Sequence, residues 1–335
     1  MRRSDVLAAS VSLATLSLVP GSAQAADVAP SDASVWSQAY TVASGAASLY
    51  AFRKRATPPR AGAAALPALL LVHGSSMGGR STFDLSVPGQ TGYSMMDAFA
   101  RLGYDVWTMD FEGYGRSSRA PGNSDIASGI PAMAAVVERI RREVGLAPVH
   151  LFGESSGAIR ATAFAAAHPD VVGRVATSAY THTGRGSATL AARAQAVGFY
   201  RANNVRPATL ELYRSIFTRD HAGTADPAVG YALFEAERSY GGFVPTGTYF
   251  DMVTKLPLVD PAAVKAPMLI ARGEYDGIST EADLIAFFDA LPNNDKQFVV
   301  IPGAAHSLVL GYNRDRFWFA LHAFLAAPPR RDRVS

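Results

Sequence analysis

The residues best placed to do chemistry are Gly153-Glu154-Ser155-Ser156-Gly157. An apolar run, Pro148 to Phe152, precedes them and a small-residue stretch, Ala158 to Ala165, follows. A buried strand that breaks into a helix through G-x-S-x-G makes a sharp turn with the serine at its tip. Glycine is needed on both sides because the turn leaves no room for side chains. The helix that follows aims its free N–H groups and positive dipole end at the reacting centre. This pattern predicts that Ser155 is a nucleophile.

A serine hydroxyl needs a histidine base, an acid to orient that histidine, and donors for the tetrahedral oxyanion. Each is sought at the C-terminal end of a strand, where sites of open α/β sheets lie. The acid is expected at Asp276, just past the apolar run ending at Ala271, with Glu274 as its competitor. The Gly277 turn favours Asp276 by letting a short side chain reach sideways. The base is expected at His306, in the loop Pro302 to Ser307. His150 falls in a strand, His168 and His322 on helices, and His182 and His221 in or near an insertion, so only His306 completes the order Ser, Asp, His. The oxyanion hole should use the N–H of Ser156 and a second donor from the loop Val72 to Gly79, with Ser75 preferred to Ser76. His73 is read as a residue that ties that loop down by hydrogen bonding.

The elements that must hold these residues alternate. Trp36–Val42 and Ser48–Phe52 read as an antiparallel pair, and Ala68–Val72 as a strand buried on both faces. Ser94–Leu102 has helical spacing and stops at Gly103; Tyr104–Met109 is a strand, and Asp125–Val144 a long amphipathic helix. The elbow strand and its helix come next, then a strand over Val171–Ser178. Strand-like runs largely stop between Gly184 and Pro261, where helical fragments carry aromatics such as Phe199, Tyr200, Tyr213, Phe217 and Tyr249. Most of these are read as packing, and a few as lining a largely apolar pocket. Alternation resumes with strands at Ala266–Ala271 and Gln297–Ile301 and helices at Glu281–Leu291 and Arg314–Leu325. Thr280 and Asp283 resemble a capping box. The fold class predicted is α/β, a mostly parallel doubly wound sheet with a helical insertion.

The 335 residues, 49% of them hydrophobic, suffice for one large domain with an insertion. A net charge of +3 from scattered residues leaves no nucleic-acid footprint. The absence of cysteine excludes disulfides, thiolate metal sites and a cysteine nucleophile. Neither cofactor nor metal is called for. Arg2-Arg3, the mildly apolar Val6–Val19, Pro20-Gly21 and Ala23-Gln24-Ala25 follow the order of an export signal cleaved before Ala26. The twin-arginine route stays open, although Asp5 departs from its pattern. The apolar stretch is short for a membrane span, so no stable insertion is expected after cleavage.

Taken together, His73-Gly74, Asp110 to Ser117, Gly153 to Gly157, Gly273 to Asp276 and Gly303 to His306 resemble the α/β-hydrolase superfamily. The motifs run in that family's order through nearly all of the chain after residue 26. The resemblance implies a core in two parts at 26–183 and 262–327 with a helical cap at 184–261 between them; the residues themselves mark a signal peptide at 1–25 and a solvated tail at 328–335. It gives the Asp110–Ser117 loop a shaping role beside the pocket and no catalytic one. Serine at the elbow separates the chain from dehalogenases and epoxide hydrolases, which use aspartate there. The expected activity is hydrolysis of a carboxylic ester or lactone of a small to medium, largely apolar substrate. A carbon–carbon bond hydrolase, an acyltransferase or a non-catalytic binding protein on the same fold are the alternatives.

Overall fold

A computed structural model describes residues 34–119 and 121–328. The leader read at 1–25 and nearly all of the tail lie outside them. The strands are β1 (Trp36–Ser44), β2 (Ala47–Arg55), β3 (Ala68–Val72), β4 (Asp105–Met109), β5 (Val149–Glu154), β6 (Val172–Ser178), β7 (Val205–Pro207), β8 (Phe243–Pro245), β9 (Met268–Gly273) and β10 (Lys296–Ile301). Eight of them form one sheet in the order β1-β2-β4-β3-β5-β6-β9-β10. β1 and β2 pair antiparallel, as do β2 and β4, and every other neighbour in this sheet is parallel.

The central strands are covered on both faces, and β3 (Ala-Leu-Leu-Leu-Val) is apolar throughout, whereas the edge strand β10 is only partly buried. All five residues of β3 and of β4 are buried. Helices α1 (Gly79–Phe83), α2 (Met95–Arg101), α3 (Ile126–Val144), α4 (Ser156–Ala167), α10 (Glu281–Ala290) and α11 (Arg314–Leu325) belong to this layered core. On the elbow strand, Phe152 packs against Phe83 of α1 and Phe317 of α11, with ring centroids 5.9 and 5.3 Å away. At the antiparallel end, Arg53 of β2 grips Asp105 of β4 through two hydrogen bonds of 2.8 and 2.6 Å, both side chains buried. Each has a second partner, Glu143 at 3.0 Å from Arg53 and Arg55 at 3.5 Å from Asp105, so the pair belongs to a small charged network.

Local signals set the helix ends. Ser94 caps α2 by accepting from Asp97 N–H, and Asp125 caps α3 by accepting from Ser128 N–H. Gly145, at φ +84°, closes α3 in the left-handed conformation that glycine adopts at no steric cost. The expected capping box at α10 is only half present. Thr280 does accept from Asp283 N–H, but the Asp283 carboxylate turns away and takes the N–H groups of His182, Thr183 and Gly184. Three convergent donors on the loop after β6 outcompete the single N–H of Thr280.

That loop leads into short helices α5 (Ala188–Ala194), α6 (Val197–Ala202), α7 (Leu210–Thr218), α8 (Pro227–Glu237) and α9 (Gly247–Thr254). A small antiparallel pair, β7 with β8, lies among them. Of the aromatics here, Tyr200, Tyr213, Phe217 and Tyr249 are buried, and Phe199, Tyr231 and Phe243 are exposed. No helix among the described residues is long and apolar enough to cross a membrane.

Candidate active site

Strand register brings the chemistry to one edge. Val72 pairs with Gly153, Glu154 with Ser178, Ser178 with Ala271, and Gly273 with Ile301, so β3, β5, β6, β9 and β10 end side by side. Ser155 sits between β5 and α4 at φ +57°, ψ −124°, a conformation that costs energy in any non-glycine residue. The turn depends on its two glycines. A Cβ on Gly153 would lie 2.4 Å from Gly157 O, and one on Gly157 would lie 2.2 Å from Val72 O.

Ser155 Oγ is 3.0 Å from His306 Nε2, and His306 Nδ1 is 3.0 Å from Asp276 Oδ1. The same Asp276 oxygen accepts N–H groups from Ile278 at 2.9 Å and Ser279 at 3.1 Å. Burial pushes the Asp276 carboxyl up, but His306 and these two N–H donors outweigh it and hold it below the usual carboxylate range. An ionised Asp276 fixes His306 as the Nδ1–H tautomer, which leaves Nε2 free to accept from Ser155. The competitor Glu274 faces elsewhere: its carboxylate accepts Gly303 N–H at 2.8 Å and braces the turn after β10.

Ser75 and Ser156 meet in front of the elbow, with Ser75 Oγ donating to Ser156 Oγ at 2.8 Å. Tyr114 Oη donates to Ser75 O at 3.0 Å and fixes the loop from below. From α9, Thr248 donates to Ser75 Oγ at 2.8 Å, and Tyr249 Oη lies 2.7 Å from Ser76 Oγ. The backbone N–H groups of Ser75 and Ser156 make no hydrogen bond among the described residues. His73 acts as a tie: Nδ1–H donates to Gly74 O at 2.8 Å and Nε2 accepts Phe111 N–H at 3.2 Å. Burial drives its pKa down to about 3, so the ring stays neutral. Asp110 takes the N–H groups of Gly79 and Arg116 and shapes the turn beside this loop.

The hollow beside Ser155 is small, about 30 Å³. Its walls include Ser75, Ser76, Met77, Glu154, Ser155, His306 and Ser307 from the core, with Arg193, Ile216 and Arg219 from the inserted helices. This corrects the expected apolar lining. None of the aromatics between Phe199 and Phe250 lines this hollow; Tyr200 instead stacks on Tyr249 and Tyr213 lies against Phe234 between the inserted helices, while Phe199, Tyr231 and Phe243 are exposed. Two roomier hollows, of about 400 and 420 Å³, lie elsewhere, and neither is lined by Ser155 or His306.

Four further groups escaped the sequence reading. Glu154, beside the nucleophile, accepts from Ser307 Oγ at 2.9 Å, and burial raises its pKa to about 7. Its place inside G-x-S-x-G was visible, but its burial was not. Asp220, Arg193 and Arg219 come from stretches whose only signal was polarity. Asp220, Asp276 and His306 offer ligand atoms within 4.8 Å of one another. Asp276 Oδ1 is taken by His306 Nδ1, while the Oδ2 atoms of Asp276 and Asp220 are buried without a partner.

Residues 90–311 match the family model described as serine aminopeptidase, S33. Over 114 residues the chain is 33% identical to a 2-hydroxy-6-oxononadienedioate/2-hydroxy-6-oxononatrienedioate hydrolase of Burkholderia vietnamiensis. That stretch is 32% of this chain and 34% of the relative, and a hydrolase of the same name from Paraburkholderia phymatum matches to the same extent. The aligned stretch thus spans about a third of the length of these curated relatives. Among solved structures, E-2-(acetamidomethylene)succinate hydrolase superposes with a TM-score of 0.65 at 18% identity, over 87% of this chain and 100% of that one. An esterase from Thermogutta terrifontis superposes with a TM-score of 0.61 at 18% identity, over 86% and 98%. At such identities the likeness speaks for the fold.

Proposed function

The chain belongs to the serine aminopeptidase S33 family within the α/β-hydrolases, and from that premise we propose that it hydrolyses a carboxylic ester through an acyl-enzyme on Ser155. The observation that carries this reading is the unbroken series Ser155 Oγ, His306 Nε2, His306 Nδ1, Asp276 Oδ1, with both contacts at 3.0 Å. His306 takes the Ser155 proton as Oγ bonds to the carbonyl carbon. The oxyanion is received by the N–H groups of Ser75 and Ser156, and α4 directs its positive end at the same point. When the C–O bond breaks, His306 returns the proton to the leaving alcohol. A water then repeats the sequence against the acyl-enzyme, releasing the acid and restoring Ser155.

The test is labelling and turnover together. The native chain should take up one fluorophosphonate on Ser155 and hydrolyse p-nitrophenyl acetate, whereas Ser155→Ala should do neither. Turnover by Ser155→Ala at the native rate would refute the reading. Cleavage of a carbon–carbon bond is the second reading, favoured by the 33% identity to relatives named as dienedioate hydrolases. Turnover of a vinylogous diketo acid in preference to any ester would select it.

Export is proposed on the sequence of the leader alone. Protein recovered outside the cytoplasm should begin at Ala26, and an intact Met1 on such protein would remove the proposal.

A further inference from the structure

Two guanidinium groups face a nucleophile, and nothing in the reaction just described uses them. Arg193 ends α5 and Arg219 follows α7, so the inserted helices deliver both to the wall of the hollow that holds Ser155 and His306. Their surroundings differ. Arg219 Nε donates to Asp220 Oδ1 at 3.2 Å, which leaves its Nη2 buried and without a hydrogen-bond acceptor. Arg193 makes no ion pair among the described residues; its guanidinium lies 5.3 Å from the ring centre of Tyr249, and Arg206 lies 5.0 Å from the same ring. Burial and then the positive charge of Arg219 push the Arg193 pKa down to about 10, so it remains charged at neutral pH in a place that disfavours its charge. The acids close by do not cancel it. Glu154 lines the hollow but is held by Ser307 with a pKa raised to about 7, while Asp220 and Asp276 give Oδ1 to Arg219 and His306 and each keeps a buried Oδ2 without a partner.

Resting on the ester reading of Ser155, we propose that the substrate carries a carboxylate, bound by Arg193 and Arg219, which sets the scissile carbonyl against Ser155. An incoming carboxylate would supply the acceptor that Arg219 Nη2 lacks and the negative charge that Arg193 lacks. Guanidinium groups suit this task because their planar forks match the two oxygens. A neutral acyl chain would instead leave Arg193 desolvated without a counter-charge and Arg219 Nη2 without an acceptor, which is the costlier state. The sequence hid this subsite because neither arginine belongs to a motif and the two stand 26 positions apart on separate helical fragments.

The test uses the full chain and two substrates that differ only in charge, monoethyl glutarate and its primary amide, ethyl glutaramate. Native enzyme should favour the acid over the amide by about thirtyfold or more in kcat/KM, the range for a desolvated charge pair. Arg193→Gln should bring that ratio to within about threefold of unity. A native ratio near one, or a ratio unmoved in Arg193→Gln, overturns the proposal while leaving the ester reading intact. If neither ester is turned over, calorimetry on Ser155→Ala protein decides. Glutarate binding at least tenfold tighter than glutaramide, lost in the Arg193→Gln background, upholds the subsite although the ester reading has failed, and equal binding overturns it. Should Arg193→Gln not fold, Arg219→Gln carries the same comparisons.

Discussion

At the scale of single residues, the arrangement around Ser155 assigns unequal losses to its members. Ser155→Ala removes the nucleophile and should lower turnover by about 10⁶-fold, while Asp276→Asn keeps the shape but spoils the tautomer and should cost about 10⁴-fold. Glu274→Gln should stay within about tenfold of native activity, since the bond it makes is to Gly303 and not to His306. A larger loss from Glu274→Gln than from Asp276→Asn in steady-state kinetics would reverse the assignment of the acid. Glu154 calls for a different measurement. Its folded pKa of about 7 lies above its ordinary 4.5, because burial opposes the charged form. A raised carboxyl contributes stability in full below the unfolded value and loses it as pH rises through the folded one. Glu154→Gln should therefore gain stability over the native chain between pH 5 and pH 8, on the order of 3 kcal/mol. Urea unfolding at the two pH values reads that gap directly, and a gap that does not change with pH would show that Glu154 titrates normally.

At the scale of elements, the readable parts were those whose stability is local or whose pattern is continuous. β3 announced itself as an unbroken apolar run, and Ser94 and Asp125 open α2 and α3 by side chains that act within one turn. The elbow was legible because sterics force glycine at Gly153 and Gly157 in any chain that makes this turn. Asp283 shows where such reasoning stops. Its spacing from Thr280 fits a cap, yet its carboxylate serves the N–H groups of His182, Thr183 and Gly184, a hundred positions away in sequence. It thereby fastens the loop through which the chain passes from β6 to α5. Asp283→Ala should cost about 3 kcal/mol by stranding several donors, against about 1 kcal/mol for Thr280→Ala, which loses only a helix cap. Equal losses in chemical denaturation would reduce Asp283 to a capping residue.

At the scale of the whole molecule, the inserted helices contribute Arg193, Ile216 and Arg219 to the walls of the hollow beside Ser155, and that choice of side chains had no motif to announce it. Aromatic content pointed to an apolar chamber, but the rings either pack among the helices, as Tyr200, Tyr213 and Tyr249 do, or face solvent, and Arg193, Arg219 and Ile216 form the wall. The helices are also fastened to the loop after β3 by Thr248 on Ser75, Tyr249 on Ser76 and Glu237 on Gly78 N–H. A hollow of about 30 Å³ with these walls gives a neutral acyl chain little to bury. Each methylene that found room would improve transition-state binding by about 0.8 kcal/mol, or roughly fourfold; one that found none would gain nothing and push against the cap. Along p-nitrophenyl acetate, butyrate, hexanoate and octanoate, kcat/KM should therefore be highest at acetate or butyrate and fall beyond. Ile216 is the apolar side chain that the cap contributes to this wall, so Ile216→Ala should move the optimum toward hexanoate. The same change should lower stability by about 2–5 kcal/mol, because it deletes a buried aliphatic group. Specificity constants that climb to octanoate in the native enzyme would mean that the cap opens wide enough for its closed walls not to select. An optimum that stays put in a folded Ile216→Ala protein would place the limit at Arg193 and Arg219, where the charge on the substrate decides instead.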